Sequence, residues 1–418
     1  MQKLLIFFKK DGLKINAGGP RGYLWHLYEG IKKLRPGDMP HNLDPKLIET
    51  PADDGSSPQR RNKPKKKISN ARKLAHWLQS ELYLLLKAPR RLNLARFIST
   101  DEKIAQLLRD YSLVHAHSAF DALKILEARR QGWWQGKLIL TSHSPEASSR
   151  EALSRYRVKG FSKRYCDHFE HLLLEKELQA FRDADAWIFP SRHAMDPYLT
   201  NLPGFQELAA DKLIRFVPTG ISPPAPPESA AIEARRLAPS DAIQLCFVGR
   251  HNEVKGYDLL IDALLPVLEA NHQVHVVCAG SGHLTAPVHA RWHELGQISD
   301  VQALLRASDV FILPNRQTYY DLVLIEALAA GLPIVATATG GNKDIAKETD
   351  AVLLCDTQAG AMGQVVQSLI DLSTQERQGL GEQAVSCYQD LHSETSFACN
   401  YLAAVYDIAM MLDADVRN

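Results

Sequence analysis

The sequence predicts an α/β protein built from two doubly wound, Rossmann-like halves that face a central cleft. Three observations carry this. Apolar runs of strand length alternate with helical patterns twice, once before residue 222 and once after residue 243. Between the two series Pro223, Pro224, Pro226 and Pro227 crowd together, marking a linker over 223–242. The length, 418 residues, suits two or three domains at roughly 100–200 residues each. Alternating β and α of this kind reads as mostly parallel sheets with helices on both faces.

Composition excludes several other classes. With 45% hydrophobic and 23% charged residues the chain is neither disordered in bulk nor collagen-like. A formal net charge of +1 argues against a bulk nucleic-acid binder. No stretch approaches the about 20 apolar residues of a membrane span. The opening run Leu4 to Phe8 is too short for a secretory signal and meets Lys9 and Lys10 at once. A cytoplasmic protein is expected. Six cysteines are scattered with no C-x-x-C spacing, so neither a zinc site nor a redox pair is signalled. Cys246 and Cys278 lie inside apolar runs and read as small buried hydrophobes.

The first series opens with a strand at Leu4 to Phe8, a polar loop from Asp11 to Gly22 and a helix from Tyr23 to Leu34. Residues 36–67 carry six prolines and read as irregular. Ile68 to Ala88 has a helical pattern. Strands follow at Leu113 to Ala116, Lys137 to Ser142, Ala186 to Pro190 and Ile214 to Pro218. The second series places strands at Gln244 to Val248, Gln273 to Ala279, Asp309 to Leu313, Pro333 to Ala338 and Ala351 to Cys355. Helices fall between them at Gly256 to Ala270, Val301 to Ala307 and Leu322 to Ala330, and a last one runs from Glu394 to Leu412.

The densest chemistry lies in the second half. Gly249-Arg250 ends a strand and Lys255-Gly256 opens the next helix. Two fixed cations five residues apart at a helix N-terminus suit an anion such as a diphosphate. The alternative is a solvated loop with incidental charges. Glu326 has apolar neighbours on every side, and a glutamate in such a place needs a partner. Ribose hydroxyls would serve, as would a buried salt bridge. Gly340-Gly341-Asn342 follows a strand and offers bare backbone N–H groups to an anion.

With these residues in place, the second half resembles the donor domain of family 4 glycosyltransferases. The resemblance runs through Gly-Arg-x-x-x-x-Lys-Gly, then Asp321-Leu322-Val323-Leu324-Ile325-Glu326-Ala327 on to Gly331 and Pro333, then Gly340-Gly341. In the first half it is looser and touches Gly18-Gly19, His115, His117 and Thr141-Ser142-His143. It implies a GT-B fold, with an acceptor domain over 1–222, a nucleotide-sugar domain over 243–395, and a helix over 396–418 that crosses back to the first domain. It implies a retaining, metal-independent transferase that uses a nucleotide sugar as substrate and no cofactor. The expected partners are that donor and a glycan or lipid-linked acceptor, with no nucleic acid. The expected setting is bacterial surface polysaccharide assembly.

Carried over position by position, Arg250 and Lys255 would neutralise the donor diphosphate and His143 would face the donor sugar. Gly18, Gly19, Gly249, Gly340 and Gly341 would give the donor room, and Glu326 would take the ribose. Tyr320, Asp321 and Leu322 would line the same pocket. One departure is plain. The family has a glutamate eight positions before Glu326 and Phe-Gly between the two. Here Thr318 stands in place of the glutamate and Tyr320-Asp321 in place of Phe-Gly. A threonine hydroxyl cannot do the electrostatic work of a carboxylate, and Asp321 could supply one from a shifted position. A nucleotide-sugar epimerase and a glycosyltransferase-like binding subunit without turnover are the competing functions.

Two further features bear on metal and membrane binding. Asp183-Ala184-Asp185 matches a D-x-D metal pattern but lies where a helix gives way to a strand, and reads as turn carboxylates. Asp413-Ala414-Asp415 reads as tail. In the excursion over 51–96, Arg60, Arg61, Lys63, Lys65, Lys66, Lys67, Arg72 and Lys73 place eight positive charges in fourteen residues. Leu74, Trp77, Leu78 and Leu82 follow at helical spacing. A basic amphipathic helix of this kind suits an anionic membrane surface, on the inner face, through 60–96. A solvated loop with a core helix, or a polyanionic acceptor, would also explain it.

Overall fold

A computed structural model describes residues 2–7, 19–40, 43–47, 69–85, 100–143 and 159–414. The first half is a parallel sheet of β1 (Gln2–Phe7), β2 (Leu43–Leu47), β3 (Leu113–Ala116), β4 (Lys137–Leu140), β5 (Ala186–Phe189) and β6 (Leu213–Phe216), in the order β2-β1-β3-β4-β5-β6. The second is a parallel sheet of β7 (Ile243–Val248), β8 (Val274–Ala279), β9 (Trp292–Glu294), β10 (Val310–Leu313), β11 (Ile334–Thr337) and β12 (Val352–Cys355), in the order β12-β11-β10-β7-β8-β9. The central strands are mostly apolar and buried because helices cover both faces. All four residues of β3, β5, β10 and β11 are buried.

Two strands escaped the sequence reading. The stretch over 36–67 is not irregular throughout: β2 pairs in parallel with β1, with Leu4 opposite Pro45. Proline has no N–H to give a ladder, yet it is tolerated at a sheet edge, where β2 lies. β9 is three residues long, too short to show a period. The helices Ala359–Ile370 and Thr374–Cys387 were also not anticipated.

Residues after the proline cluster are packed against the second half. Arg235 makes a two-pronged ion pair with Asp300 at 2.8 Å, Arg236 pairs with Asp309 at 2.7 Å, and Ala238 and Ala242 are buried. The last helix, Glu394–Ala414, returns to the first half as the GT-B reading requires. Its Phe397, Tyr401, Leu402, Val405 and Ile408 share one buried cluster with Leu4 and Ile6 of β1 and with Tyr23, Leu24 and Leu27. Five of the six cysteines, Cys246 and Cys278 among them, are buried, and all six are free thiols.

The chain crosses between halves twice, and the two crossings are tied together. The Ile221 N–H donates to the His392 carbonyl at 2.9 Å, and His392 Nδ1 lies 2.8 Å from the Thr219 carbonyl. Farther out, His193 donates from its backbone N–H and from Nδ1 to Asp344, at 2.9 and 2.7 Å, and Lys343 pairs with Asp196 at 3.0 Å. Burial works against the Asp344 anion, but donors from Ser191, His193 and Lys347 together hold its carboxyl down to about 2.

Candidate functional site

Each sheet has one point where the strand order reverses, and there a crevice opens at the carboxyl ends of the strands. In the first half it lies between β1 and β3; in the second, between β7 and β10. Gly249 to Gly256 follow β7, and Pro314 to Asp321 follow β10. The sequence motifs therefore flank the second crevice.

The loop after β7 is fixed internally. The Lys255 N–H donates to Asn252 Oδ1 at 2.9 Å. Gly256 has a φ of 65° and lies so close to the Pro314 carbonyl that any Cβ would collide with it. Glycine is thus required both for the left-handed turn and for the contact between the two loops. Across that contact Lys255 Nζ pairs with Asp321 Oδ1 at 2.7 Å. Arg250 is exposed; its carbonyl accepts from the Asn252 N–H at 2.9 Å, while its guanidinium has no ion pair or hydrogen bond among the described residues.

Thr318 is 2% exposed, and its hydroxyl donates to Asp321 Oδ2 at 2.6 Å. Asn315 Nδ2 donates to the same oxygen. Gly340 and Gly341 lie directly under this loop. A Cβ on Gly340 would strike the Thr318 carbonyl, and one on Gly341 would strike the Tyr320 ring. The Gly341 N–H donates to the Tyr319 carbonyl at 3.1 Å, so it is engaged by protein. The pair that read as an anion cradle also lets two loops touch. Tyr320 and Leu322 pack partly buried against the second core.

Glu326 sits on the helix Leu322–Ala330, half-buried. Burial pushes its carboxyl up to about 7. No ion pair or hydrogen bond reaches it among the described residues, so the salt bridge considered above is not there.

Facing this, the first crevice holds a histidine stack. Gly19, with a φ of 72°, caps the helix Pro20–Lys33; Gly18 lies outside the described residues. His143 follows β4, with its Nε2 3.0 Å from His117 Nδ1 and its ring 4.5 Å from Tyr23. His115 is a packing residue with a determined tautomer. Thr141 Oγ1 donates to the Ile188 carbonyl at 2.7 Å, so it accepts from His115 Nε2 at 2.8 Å. That leaves His115 Nδ1 to accept from the Tyr401 hydroxyl at 2.8 Å. Burial drives His115 and His117 well below the usual imidazole range, so these two rings are neutral. Tyr319 reaches over from the second half into the first core, with its ring 6.1 Å from that of His143. Nothing in the sequence signalled that insertion.

Asp185 of the D-x-D match is a turn carboxylate. Its Oδ2 accepts from Arg129 at 2.5 Å and from the Leu138 N–H at 2.7 Å. No group of three or more His, Cys, Asp or Glu side chains among the described residues is arranged to hold a metal ion. The basic run Arg60 to Lys67 lies outside the described residues.

Two parallel sheets with facing crevices, joined by a double crossing and a returning helix, form the GT-B class of glycosyltransferase fold. Sucrose-phosphate synthase from Thermosynechococcus elongatus superposes with a TM-score of 0.61 at 19% identity, over all of both chains. Anabaena HepE, solved with UDP-glucose, superposes with a TM-score of 0.58 at 15% identity, over 99% of this chain and 100% of its own. Residues 43–223 match the model described as Glycosyltransferase Family 4, and residues 242–372 match Glycosyl transferases group 1. The chain belongs to the family 4 glycosyltransferases. A D-inositol 3-phosphate glycosyltransferase of Geodermatophilus obscurus is 34% identical over 143 residues, 29% of this chain and 32% of its own length. N-acetyl-alpha-D-glucosaminyl L-malate synthase of Bacillus anthracis is 32% identical over 117 residues, 27% of this chain and 30% of its own. The alignments thus span about a third of these curated relatives.

Proposed function

We propose that this glycosyltransferase moves a sugar, with retention at the anomeric carbon, from a nucleotide sugar to a glycan or lipid-linked acceptor in bacterial surface polysaccharide assembly. The observation that carries the donor assignment is that Arg250 and Lys255 stand on the turn after β7, where Lys255 is paired at 2.7 Å with Asp321 at the start of the helix that bears Glu326. A departing nucleoside diphosphate gains negative charge as the glycosidic bond breaks. Cations fixed at that point stabilise the transition state more than the ground state. Glu326, without a protein partner, suits the ribose hydroxyls. The His143 ring, packed against the neutral His117, suits sugar hydroxyls, which exchange hydrogen bonds with an imidazole. HepE, with the same fold, was solved with UDP-glucose. A panel of nucleotide sugars with glycan and lipid-linked acceptors tests the reading, and the anomeric configuration of the product tests retention. Conversion of the donor without an acceptor would point to an epimerase.

With two cations at the diphosphate, the reaction needs no divalent ion. Activity should survive EDTA; complete loss restored by Mg²⁺ or Mn²⁺ would overturn this.

The acceptor side rests on an anionic membrane, at the inner face in the cytoplasm. Among the described residues no helix is long and apolar enough to cross a membrane. The helix Asn70–Leu85 instead turns an apolar stripe outward: Leu74, Trp77, Leu78 and Leu82 are 58%, 46%, 54% and 57% exposed. Their spacing puts all four on one face. Exposed Arg72 and Lys73 stand at its start, after the basic run. At about 1 kcal/mol per basic residue near an anionic surface, this supports reversible binding. Vesicle co-sedimentation should need anionic lipid, weaken with salt, and fall when Arg60 to Lys67 are neutralised or when Leu78 and Leu82 become glutamate. Equal binding by wild type and all variants would leave the segment a solvated one.

A further inference from the structure

Asp321 is placed to do more than fill a departure from the family pattern. It is the N-cap residue of the helix Leu322–Ala330, a position where aspartate commonly accepts from the helix's own N–H groups. Here its side chain makes no such bond. It turns instead toward the crevice, where Lys255, Thr318 and Asn315 hold it.

The geometry fixes what remains available. A carboxylate has about four acceptor positions. Oδ2 takes Thr318 and Asn315, and Oδ1 takes Lys255, so three are engaged by protein donors. The fourth lies on Oδ1, on a side chain that is 18% exposed and touches the lysine assigned to the diphosphate. Thr318 cannot fill the same need, because it is 2% exposed and its hydroxyl is already given to Asp321.

We propose that Asp321 is the carboxylate that receives a hydroxyl of the transferred sugar and sets which sugar is accepted, with Thr318 and Asn315 as its positioning residues. The proposal rests on the nucleotide-sugar reading and adds the group that discriminates the sugar. The donor's diphosphate draws on the Lys255 ammonium, which has three N–H donors and can keep its bond to Asp321. A sugar hydroxyl then donates to Oδ1. A carboxylate held rigidly on one side by three partners reports a hydroxyl's position well, since the wrong epimer leaves that acceptor unmatched.

The sign of one effect separates this from a structural role. Asp321→Asn keeps the shape but removes the negative charge beside Lys255. Binding of UDP, GDP or ADP, whichever wild type prefers, should therefore stay equal or tighten. In the same variant kcat/KM for the cognate nucleotide sugar should fall roughly 10- to 100-fold, the scale of a hydrogen bond to a charged group. The preference between epimeric donors should narrow with it. Asp321→Glu should recover part of the loss. Thr318→Glu combined with Asp321→Gly, which restores the family's arrangement, should regain transfer with an altered donor preference. If nucleotide binding and transfer fall together in Asp321→Asn, or donor preference is unchanged in both Asp321→Asn and Asp321→Gly, the assignment is wrong. If wild type binds no nucleoside diphosphate at all, the nucleotide-sugar reading falls, and this one with it.

Discussion

Arg250→Ala is expected to cut turnover by about 10²-fold or more, and Lys255→Ala to cut it further. The first figure is the scale of removing one preorganised charge from a developing anion. Lys255 is the harsher loss because of what it touches. Its Nζ sits 2.7 Å from Asp321 Oδ1. Without the ammonium, an uncompensated carboxylate faces the incoming diphosphate, so a favourable charge is replaced by an unfavourable one. Lys255→Ala with Asp321→Asn should therefore regain nucleotide binding over Lys255→Ala alone, while turnover stays low. Steady-state kinetics and calorimetric nucleotide titration read both quantities. Near wild-type turnover in the two single variants would remove the diphosphate assignment.

Donor affinity is expected to rise between pH 6 and pH 8, because Glu326 titrates at about 7. Ribose hydroxyls donate most strongly to an ionised carboxylate. Below its pKa Glu326 must lose a proton before it accepts both, which costs up to about 1.4 kcal/mol, or tenfold, per pH unit. A nucleotide sugar is the right probe, since its diphosphate is a diester and stays ionised throughout this range. Glu326→Gln should bind more weakly at pH 8 and show a flatter profile. Stability of the free protein carries the opposite sign. Its folded pKa is raised, so between the ordinary carboxyl range and about 7 the folded chain holds the extra proton, and stability falls as pH rises through that window. A Glu326→Gln profile that still climbs as wild type does would remove the ribose assignment.

What the sequence made legible follows from how burial is written into it. β3, β10 and β11 are covered on both faces, so a dense apolar run announces each one, broken only by His115 in β3 and Thr337 at the end of β11. β2 announces nothing, because an edge strand tolerates Pro45 and half-exposed polar residues. The site divided in the same way. Gly256 and Lys255 are neighbours in sequence, and their turn could be read directly. The bond from Lys255 to Asp321 spans 66 positions, and only the crossover from β7 to β10 decides that those loops meet. The Asp344 to His193 contact spans 151, with no local pattern at either end. Gly340-Gly341 illustrates a subtler limit. Two glycines mark a place where backbone must come close to something, but not whether that something is an anion or the neighbouring loop.

The helix Glu394–Ala414 closes the core of the half that is made first. During synthesis at about 5–20 residues per second, the strands of the first sheet emerge and then wait, the last of them roughly ten to forty seconds and the earlier ones longer, for the segment that covers one of their faces. Over that interval β1, Tyr23 and Leu24 present apolar surface to whatever is nearby. The second half, by contrast, has both of its clusters complete before that segment appears. A nascent chain halted just short of the last helix should thus hold a protease-resistant second half and a cleavable first one, with the vulnerable part being the older. Chaperone demand should concentrate there, and a stop codon near residue 394 should be felt hundreds of positions upstream.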